Sequence, residues 1–372
     1  MEILISFILP FVFLLTVVVF IHEYGHYYFA KRFGVGVTDF SIGFGKEIFG
    51  FNDKSGTRWK FCAIPLGGYV KFFGDRNVFS QTEQEELLKK YNKDDQQKLF
   101  VTKPLYQRSL IVFAGPLANF ILAIFIFTSI YMFSGKDFTP AQIQLVQKDS
   151  PAQIAGIKKN DVILSINNNK IQSILDVSTY INSSTDDLIN LTILRNDKEL
   201  TISVKPNKIK GKDSLGNKVN KKIIGINISP INNEFKNEKL GPATALFYAI
   251  KETWFVTKAS LNFISSMFQG KGDTSQLGGP IKIAKITGQV AQHGLIAFLS
   301  ITAYISISLG FINLFPIPML DGGHLMFYAF EKILGRPLSQ KTQEGFFRIG
   351  LFLLFSLMFF TTVNDLRDLG MF

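Results

Sequence analysis

The sequence predicts a polytopic α-helical membrane protein, with four transmembrane helices and a membrane-associated β-hairpin, carrying one small extracytoplasmic α+β domain. Three observations predict it. Four runs are free of charged residues, at Ile3–Ile21, Ser109–Ser134, Gly294–Leu320 and Ile349–Asn364. The 372 residues are 47% hydrophobic and include 38 Phe, a bias unusual for a water-soluble chain and expected where lipid is part of the solvent. After Lys136 the composition changes to short β-prone runs separated by Asn- and Asp-rich turns, the pattern of a compact soluble module.

Each of the first three runs is long enough to cross a hydrocarbon core at about 1.5 Å per residue, and the fourth is the shortest. Glu2 precedes the first run and no basic segment stands before it, so this helix is expected to be retained rather than cleaved as a signal peptide. Lys31 and Arg32 follow the first run, and Lys103 and Arg108 precede the second. Lys332, Arg336, Lys341 and Arg348 lie between the third and fourth. By the positive-inside rule those loops are cytoplasmic, which puts both termini and the segment from about Lys136 to His293 outside. That segment is itself lysine-rich, but long loops translocate largely regardless of charge. The expected division is an amino-terminal membrane part, 1–135, a soluble module, 136–232, and a carboxy-terminal membrane part, 233–372.

The formal charge of +11 does not point to nucleic acid, because the basic residues sit in loops between apolar runs and not on one face with interleaved aromatics. Attraction to anionic lipid headgroups accounts for it. A lone cysteine, Cys62, excludes an internal disulfide.

His22-Glu23-Tyr24-Gly25-His26 stands at the inner end of the first run. Residues four apart share a helix face, so both imidazoles can offer a ring nitrogen to one ion while Glu23 projects nearby to polarise a water. This is the H-E-x-x-H pattern of zinc hydrolases. Ionisable groups cost a few kcal/mol each inside a membrane, so three together call for a common partner, and a metal ion is the obvious one. Two histidines and a water leave tetrahedral Zn2+ one protein ligand short.

In the loop that follows, Gly43-Phe44-Gly45 lacks the third glycine and the strand-then-helix setting of a phosphate cradle. Trp59–Phe73 has two β-prone arms flanking Pro65-Leu66-Gly67-Gly68, which predicts a hairpin too apolar for water and able to dip into the membrane beside the metal. An exposed edge near Gly67 and Gly68 would let an extended substrate pair with it. Gln81–Lys98 reads as a surface helix or flexible segment. In the second run, Ala114-Gly115-Pro116-Leu117-Ala118-Asn119 offers small residues for close helix packing, and Asn119 needs a hydrogen-bond partner inside the bundle.

In the module, strands are expected at Ile143–Val146, Asp161–Ile166, Leu188–Leu194, Leu200–Val204 and Ile223–Ile228, with a helix near Ile174–Ile181. Its segment Ser150–Asn167 resembles bacterial PDZ domains, which bind chain ends by strand addition. Asn160 stands where that pattern usually has glycine, and asparagine tolerates φ > 0. Gly241–Gln269 is amphipathic and is expected to lie on the membrane surface. Leu277-Gly278-Gly279-Pro280-Ile281 breaks the chain before the third run, and His293 reads as an interfacial or loop residue. The third run ends Asn313-Leu314-Phe315-Pro316-Ile317-Pro318-Met319-Leu320-Asp321-Gly322-Gly323-His324. Two prolines unwind the helix end and the glycines permit close backbone approach. Asp321 then lies at the depth where the first helix leaves His22 and His26, and is favoured as third ligand over its rival His324.

Through HEYGH, Ala-Gly-Pro-x-x-Asn, the PDZ-like module and NLFPIPMLDGGH, the chain resembles the site-2 protease family of intramembrane zinc metalloproteases, and within it the bacterial RseP branch. The resemblance implies zinc held by His22, His26 and Asp321, Glu23 as general base, and Asn313 near the substrate. It implies a multi-pass protein of the bacterial inner membrane, cleaving single-span membrane proteins such as anti-sigma factors or signal-peptide remnants. Some members of that branch have two tandem PDZ domains; this chain has one. Two other readings stay open: a metal transporter, which would need a polar path that the second and fourth runs do not offer, and a membrane-anchored PDZ scaffold, for which HEYGH would be superfluous.

Overall fold

A computed structural model describes residues 4–74, 88–184, 187–212, 218–270, 277–368 and 371. It divides into two compact units, Met1–Ile126 with Gly279–Arg367, and Phe127–Gly278 with Asp368–Met371.

Among the described residues, four helices are long and apolar enough to cross a membrane, Ile5–Arg32, Leu105–Phe133, Leu295–Asn313 and Gln340–Asp368, the second and the fourth ending in the second unit. We label the helices α1 (Leu9–Arg32), α2 (Leu105–Phe133), α6 (Leu295–Asn313) and α8 (Gln340–Asp368), leaving α3 to α5 and α7 for those met below. The uncharged run Ile349–Asn364 marks only the middle of α8, because Lys341, Glu344 and Arg348 sit on its first turns. The third run behaves as its prolines require: α6 stops at Asn313, a turn follows, and α7 (Asp321–Leu334) begins.

Strands β1 (Val37–Asn52) and β2 (Arg58–Phe72) form the sheet of the first unit. Here the structure corrects the sequence reading. The arms on either side of Pro65-Leu66-Gly67-Gly68 do not pair with one another; both flank β1, where Ser41 pairs with Lys60 and with Tyr69, and Ile42 with Phe61 and with Gly68. The turn that joins the strands is Asp53–Thr57, closed by Asp53 N–H to Thr57 O (2.9 Å). One Asp53 oxygen accepts from the Ser55 and Thr57 amides (2.8 and 2.9 Å), and the other from Tyr27 Oη (2.9 Å) and Trp59 Nε1 (3.2 Å). Partial burial opposes the charge, but these donors outweigh it and hold the carboxyl well below the usual carboxylate range. Of the expected surface segment Gln81–Lys98, residues 81–87 lie outside the described residues; Lys93–Gln96 forms one helical turn capped by Asn92.

A further helix, α5 (Pro280–Ala291), follows the Leu277–Ile281 break and was not anticipated from sequence. Its amino end is capped from α8, where the buried Asp365 accepts from Gly279 N and Lys282 N, both 2.9 Å.

The second unit contains the module. Its sheet has the order β7–β3–β4–β5–β6, from β3 (Gln142–Val146), β4 (Val162–Ile166), β5 (Ile189–Arg195), β6 (Lys198–Val204) and β7 (Ile226–Ser229), with α3 (Ile174–Ser183) packed against it. Apolar residues that alternate along β5, Ile189, Leu191 and Ile193, are wholly buried in one core with Ile143, Ile163, Val177 and Ile181. Asn196 and Asp197 both have φ > 0, the requirement of the two-residue turn joining β5 to β6, and Asn160 has φ 72° as its glycine-like position demands. Asp161, 1% exposed, accepts two bonds from Arg195 at 2.7 Å. The amphipathic stretch expected at Gly241–Gln269 is α4 (Pro242–Phe268).

Candidate metal centre

Helix α1 brings His22 and His26 one turn apart on one face, as spacing requires, with their Nε2 atoms 3.3 Å apart. Asp321, at the first residue of α7, reaches the same point from the other end of the chain. Its Oδ2 lies 3.1 Å from His22 Nε2 and its Oδ1 3.5 Å from His26 Nε2. Among the described residues, His22, His26 and Asp321 are the donor set that could hold a metal ion, with ligand atoms within 4.8 Å of one another. Atoms about 2.0–2.1 Å from one tetrahedral ion lie about 3.3 Å apart, so the observed spacings suit zinc and the N, N, O donor set is one it accepts.

The second helix builds the rest of the pocket. His26 Nδ1 donates to the Ile111 carbonyl at 2.8 Å, which leaves the Nε2 lone pair for a ligand bond. The Asn119 amide, wholly buried, meets His22 Nδ1 at 3.2 Å. A Cβ at Gly115 would lie 2.9 Å from His22 Nε2 and collide with His26 Nε2, so any side chain there would fill the space between the two rings. Gly25 likewise lets α1 sit directly on the Ala114 backbone.

Asp321 is delivered by a constrained turn. Ile317 N–H donates to Phe315 O and Leu320 N–H to Ile317 O, and Met319 takes φ 88°. Side chains at Gly322 or Gly323 would collide with the carbonyls of Leu314 and Ile317, so the glycine pair allows α7 to start beneath the turn. At the other end of α7, Arg108 of α2 makes a two-pronged ion pair with Glu331 (2.6 and 3.1 Å).

A cavity of about 370 Å³ opens over the donors and is lined by His22, Glu23, His26, Gly67, Gly68, Asn313 and Asp321. Every site residue named from the sequence is therefore on one wall or another of one cavity. Strand β2 crosses close to α1 there, with a Cβ at Gly68 lying 3.1 Å from Glu23 Cγ. His324 also lines the cavity, but outside the donor set; its ring packs on Phe347 at 5.6 Å. His293 is in the exposed link between α5 and α6. Sequence reasoning missed Gly115 and the tie from Asn119 to His22. The signal was present, as one amide and one glycine in an otherwise apolar run, but it read as packing.

The sequence pattern of Peptidase family M50 matches residues 10–357. An Agrobacterium fabrum protein, provisionally named a zinc metalloprotease, is 40% identical over 364 residues, covering 98% of this chain and 96% of its own. Metalloprotease MmpA of Caulobacter vibrioides is 34% identical over 381 residues, covering 97% and 95%. The PDZ domain of an SdrC-like protein from Listeria monocytogenes aligns with 24% of this chain at 24% identity and a TM-score of 0.20, too slight a likeness to carry weight. With a helix-borne HEYGH, an aspartate brought to it from a distant helix, and a family match along nearly the whole length, the chain belongs to Peptidase family M50 and is a membrane-type zinc metalloprotease.

Proposed function

We propose that the protein is an intramembrane endopeptidase that cleaves single-span membrane proteins within or near their transmembrane segment, in regulated intramembrane proteolysis, with anti-sigma factors or signal-peptide remnants as the substrate class. The observation that carries this reading is the position of the donors: they line an open cavity on a helix long enough to span the bilayer.

In this reading His22, His26 and Asp321 hold the ion and Glu23 is the general base. Zinc held there would supply Lewis acidity, polarising a peptide carbonyl and bringing the pKa of water toward neutrality. Glu23, one residue along from His22, takes the proton from the attacking water and returns it to the leaving nitrogen. A helical substrate hides its carbonyls in its own backbone bonds, so a segment must unwind before attack. The main chain at Gly67 and Gly68, bare of side chains and lining the cavity, receives that segment as an added strand, and Asn313, which also lines the cavity, binds its backbone.

The basic loops support a site near the cytoplasmic side of a bacterial inner membrane with the PDZ-like module outside, where it binds chain ends or screens bulky proteins. The three-part division at 135 and 232 belongs to the same reading. The test is cleavage of a single-span reporter by the purified full chain in vesicles, with the new termini mapped by mass spectrometry. Cuts inside the apolar segment, abolished by a chelator and restored by zinc, are expected. Cuts confined to the reporter's soluble flanks would overturn the intramembrane assignment.

A further inference from the structure

The second unit carries a small sheet that the protease reading does not use. Strands Asn207–Lys212 and Lys218–Ile223 pair antiparallel as a two-stranded ribbon, which no third strand joins among the described residues. From Lys205 to Lys222 the sequence holds seven lysines and one acidic residue, Asp213. The register sorts them onto faces. Lys208 stands opposite Lys222, Lys210 opposite Asn220 and Lys212 opposite Lys218, and residues directly opposite or two apart along a strand share a face. Positions 208, 210, 212, 218 and 222, all lysine, therefore fall on one face. Ile209, Gly211 and Lys221 fall on the other, where a Cβ at Gly211 would lie 3.6 Å from Lys221 Cδ.

Like charges directly opposite one another weaken a strand pair, so the lysine face works against the ribbon's own stability. Lys222 has a structural use that offsets this. Its N–H donates to Asn182 Oδ1 (2.9 Å) and its Nζ to the Ser184 carbonyl, tying the base of the ribbon to the carboxy end of α3. Lys208 and Lys210 are exposed, and among the described residues no acidic side chain pairs with either; the ion pairs of this unit are Arg195–Asp161 and Lys236–Glu238. What the face lacks within the chain is a row of anions. Lysines at alternate positions of a strand repeat at about 6.6–6.8 Å, which is the side-chain repeat on one face of any extended polypeptide. The ribbon's outer edges also present main-chain N–H and C=O groups with which such a polypeptide can pair. A layer of lipid headgroups requires neither the alternation nor the edge.

We infer that the ribbon docks an acidic, extended polypeptide segment with Asp or Glu at every second position, added along the ribbon's edge with its carboxylates against Lys208 and Lys210. After two further residues the strand Lys218–Ile223 continues into β7, the edge strand of the module's main sheet, so two receptive edges lie on one stretch of chain. Resting on the proposed function, such a segment is the part of a substrate that flanks its membrane span, and the ribbon recruits substrates whose flank is acidic.

The full chain carrying Glu23→Gln, so that nothing is cut, is placed in phosphatidylcholine nanodiscs and titrated into fluorescent peptides blocked at both ends, which removes any terminal carboxylate. One peptide alternates Glu with Thr; its control has the same composition with the glutamates in one block. The alternating peptide should bind at low salt and be released at high salt, and Lys208→Glu/Lys210→Glu should bind it about tenfold more weakly, because two exposed ion pairs become repulsive contacts. Lys236→Glu, off the ribbon, should bind it as before, and matching unfolding midpoints separate lost docking from lost folding. No binding, equal binding of the block peptide, or displacement of the peptide when phosphatidylglycerol replaces phosphatidylcholine would overturn the inference, the last by turning the lysines toward lipid. In the unaltered chain, a single-span reporter with the alternating acidic flank should be cut with a KM about tenfold below that of its neutral-flank twin, a difference that Lys208→Glu/Lys210→Glu erases. Equal cleavage of the two reporters refutes recruitment of substrate, whereas failure to cut either one counts against the proposed function and leaves the peptide result standing.

Discussion

Asn119→Leu tests the site more sharply than loss of a ligand, because it leaves all three donors in place. Zinc at His22 Nε2 requires the ring proton on Nδ1, and Nδ1–H needs an acceptor. The group facing it at 3.2 Å is the Asn119 amide, whose Oδ1 is buried and otherwise without a partner. An amide can present either end, so in the metal-ready tautomer Oδ1 takes the Nδ1 proton. Leucine branches at the same carbon but cannot accept it, which leaves a buried N–H unpaired and the ring free to turn. Loss of such an outer partner costs about 10–100-fold in metal affinity, or about 1.4–2.7 kcal/mol. The assay is competition for zinc against a chromogenic chelator, with purified protein in detergent. Asn119→Asp should bind at least as tightly as the unaltered chain, because a carboxylate is the stronger acceptor. The Ser306 Oγ to Asn119 O bond (2.9 Å) uses the main chain and survives in both variants, so a general loss of packing would affect them alike. Unchanged affinity in Asn119→Leu would refute the reasoning.

Glu23→Gln should keep stoichiometric zinc and lose about 10²–10⁴-fold in reporter cleavage; retained turnover would remove the base assignment. Asp321→Asn should lose zinc by elemental analysis, whereas a fully loaded variant would shift the third ligand to His324. Asp365→Ala removes the acceptor of two backbone N–H groups in a buried site and should cost about 1–3 kcal/mol, seen as a lower unfolding midpoint; no change would mean that α5 is held by packing alone. For Asp53, whose carboxyl is held low in the folded state, the stability it lends is complete above the unfolded pKa of about 3.9 and is lost as pH falls below it. Amide exchange at Ser55 and Thr57 should therefore accelerate on acidification relative to an Asp53→Asn control, and identical pH profiles would show that the turn does not depend on the charge.

The parts of the fold that the sequence made legible are those where a cost is local. An imidazole pair and a carboxylate in an otherwise apolar helix are expensive alone, so HEYGH announced a partner, and Asp321 was the acidic group at the end of another apolar run. Alternation along Ile189, Leu191 and Ile193 and the Asn-Asp turn after Arg195 fixed the module's sheet for the same reason. Pairing between distant segments carried no such mark. Nothing local to Trp59–Phe73 says that Asp39–Ile42 enters between its arms, and Pro65-Leu66-Gly67-Gly68 looks as much like a turn as Asp53–Thr57 does. Helix α8 was underestimated because an uncharged run stops at the first arginine while a helix does not. Helices α5 and α7, short and amphipathic, leave no long apolar run to find.

The site depends on α2 for the partners of its histidines. On a water-exposed helix, the outer nitrogens of two ligating histidines can bond to solvent; in an apolar bundle the chain must supply those partners. Ile111, Gly115 and Asn119 follow one another at intervals of four along one face of α2, giving in turn a carbonyl for His26, an empty space between the rings, and an amide for His22. Against that template the imidazoles are held by α2 alone, and the strained backbone lies on the Asp321 side. Met319 keeps a left-handed φ that costs a non-glycine residue about 1–3 kcal/mol, two residues ahead of the carboxylate. It persists because the Ile317 and Leu320 backbone bonds, the glycine pair and the Arg108–Glu331 clamp leave α7 no other start. Strain placed at the one donor that comes from outside α1 makes the closing of the site, and not the helix that carries HEYGH, the step that depends on the rest of the fold.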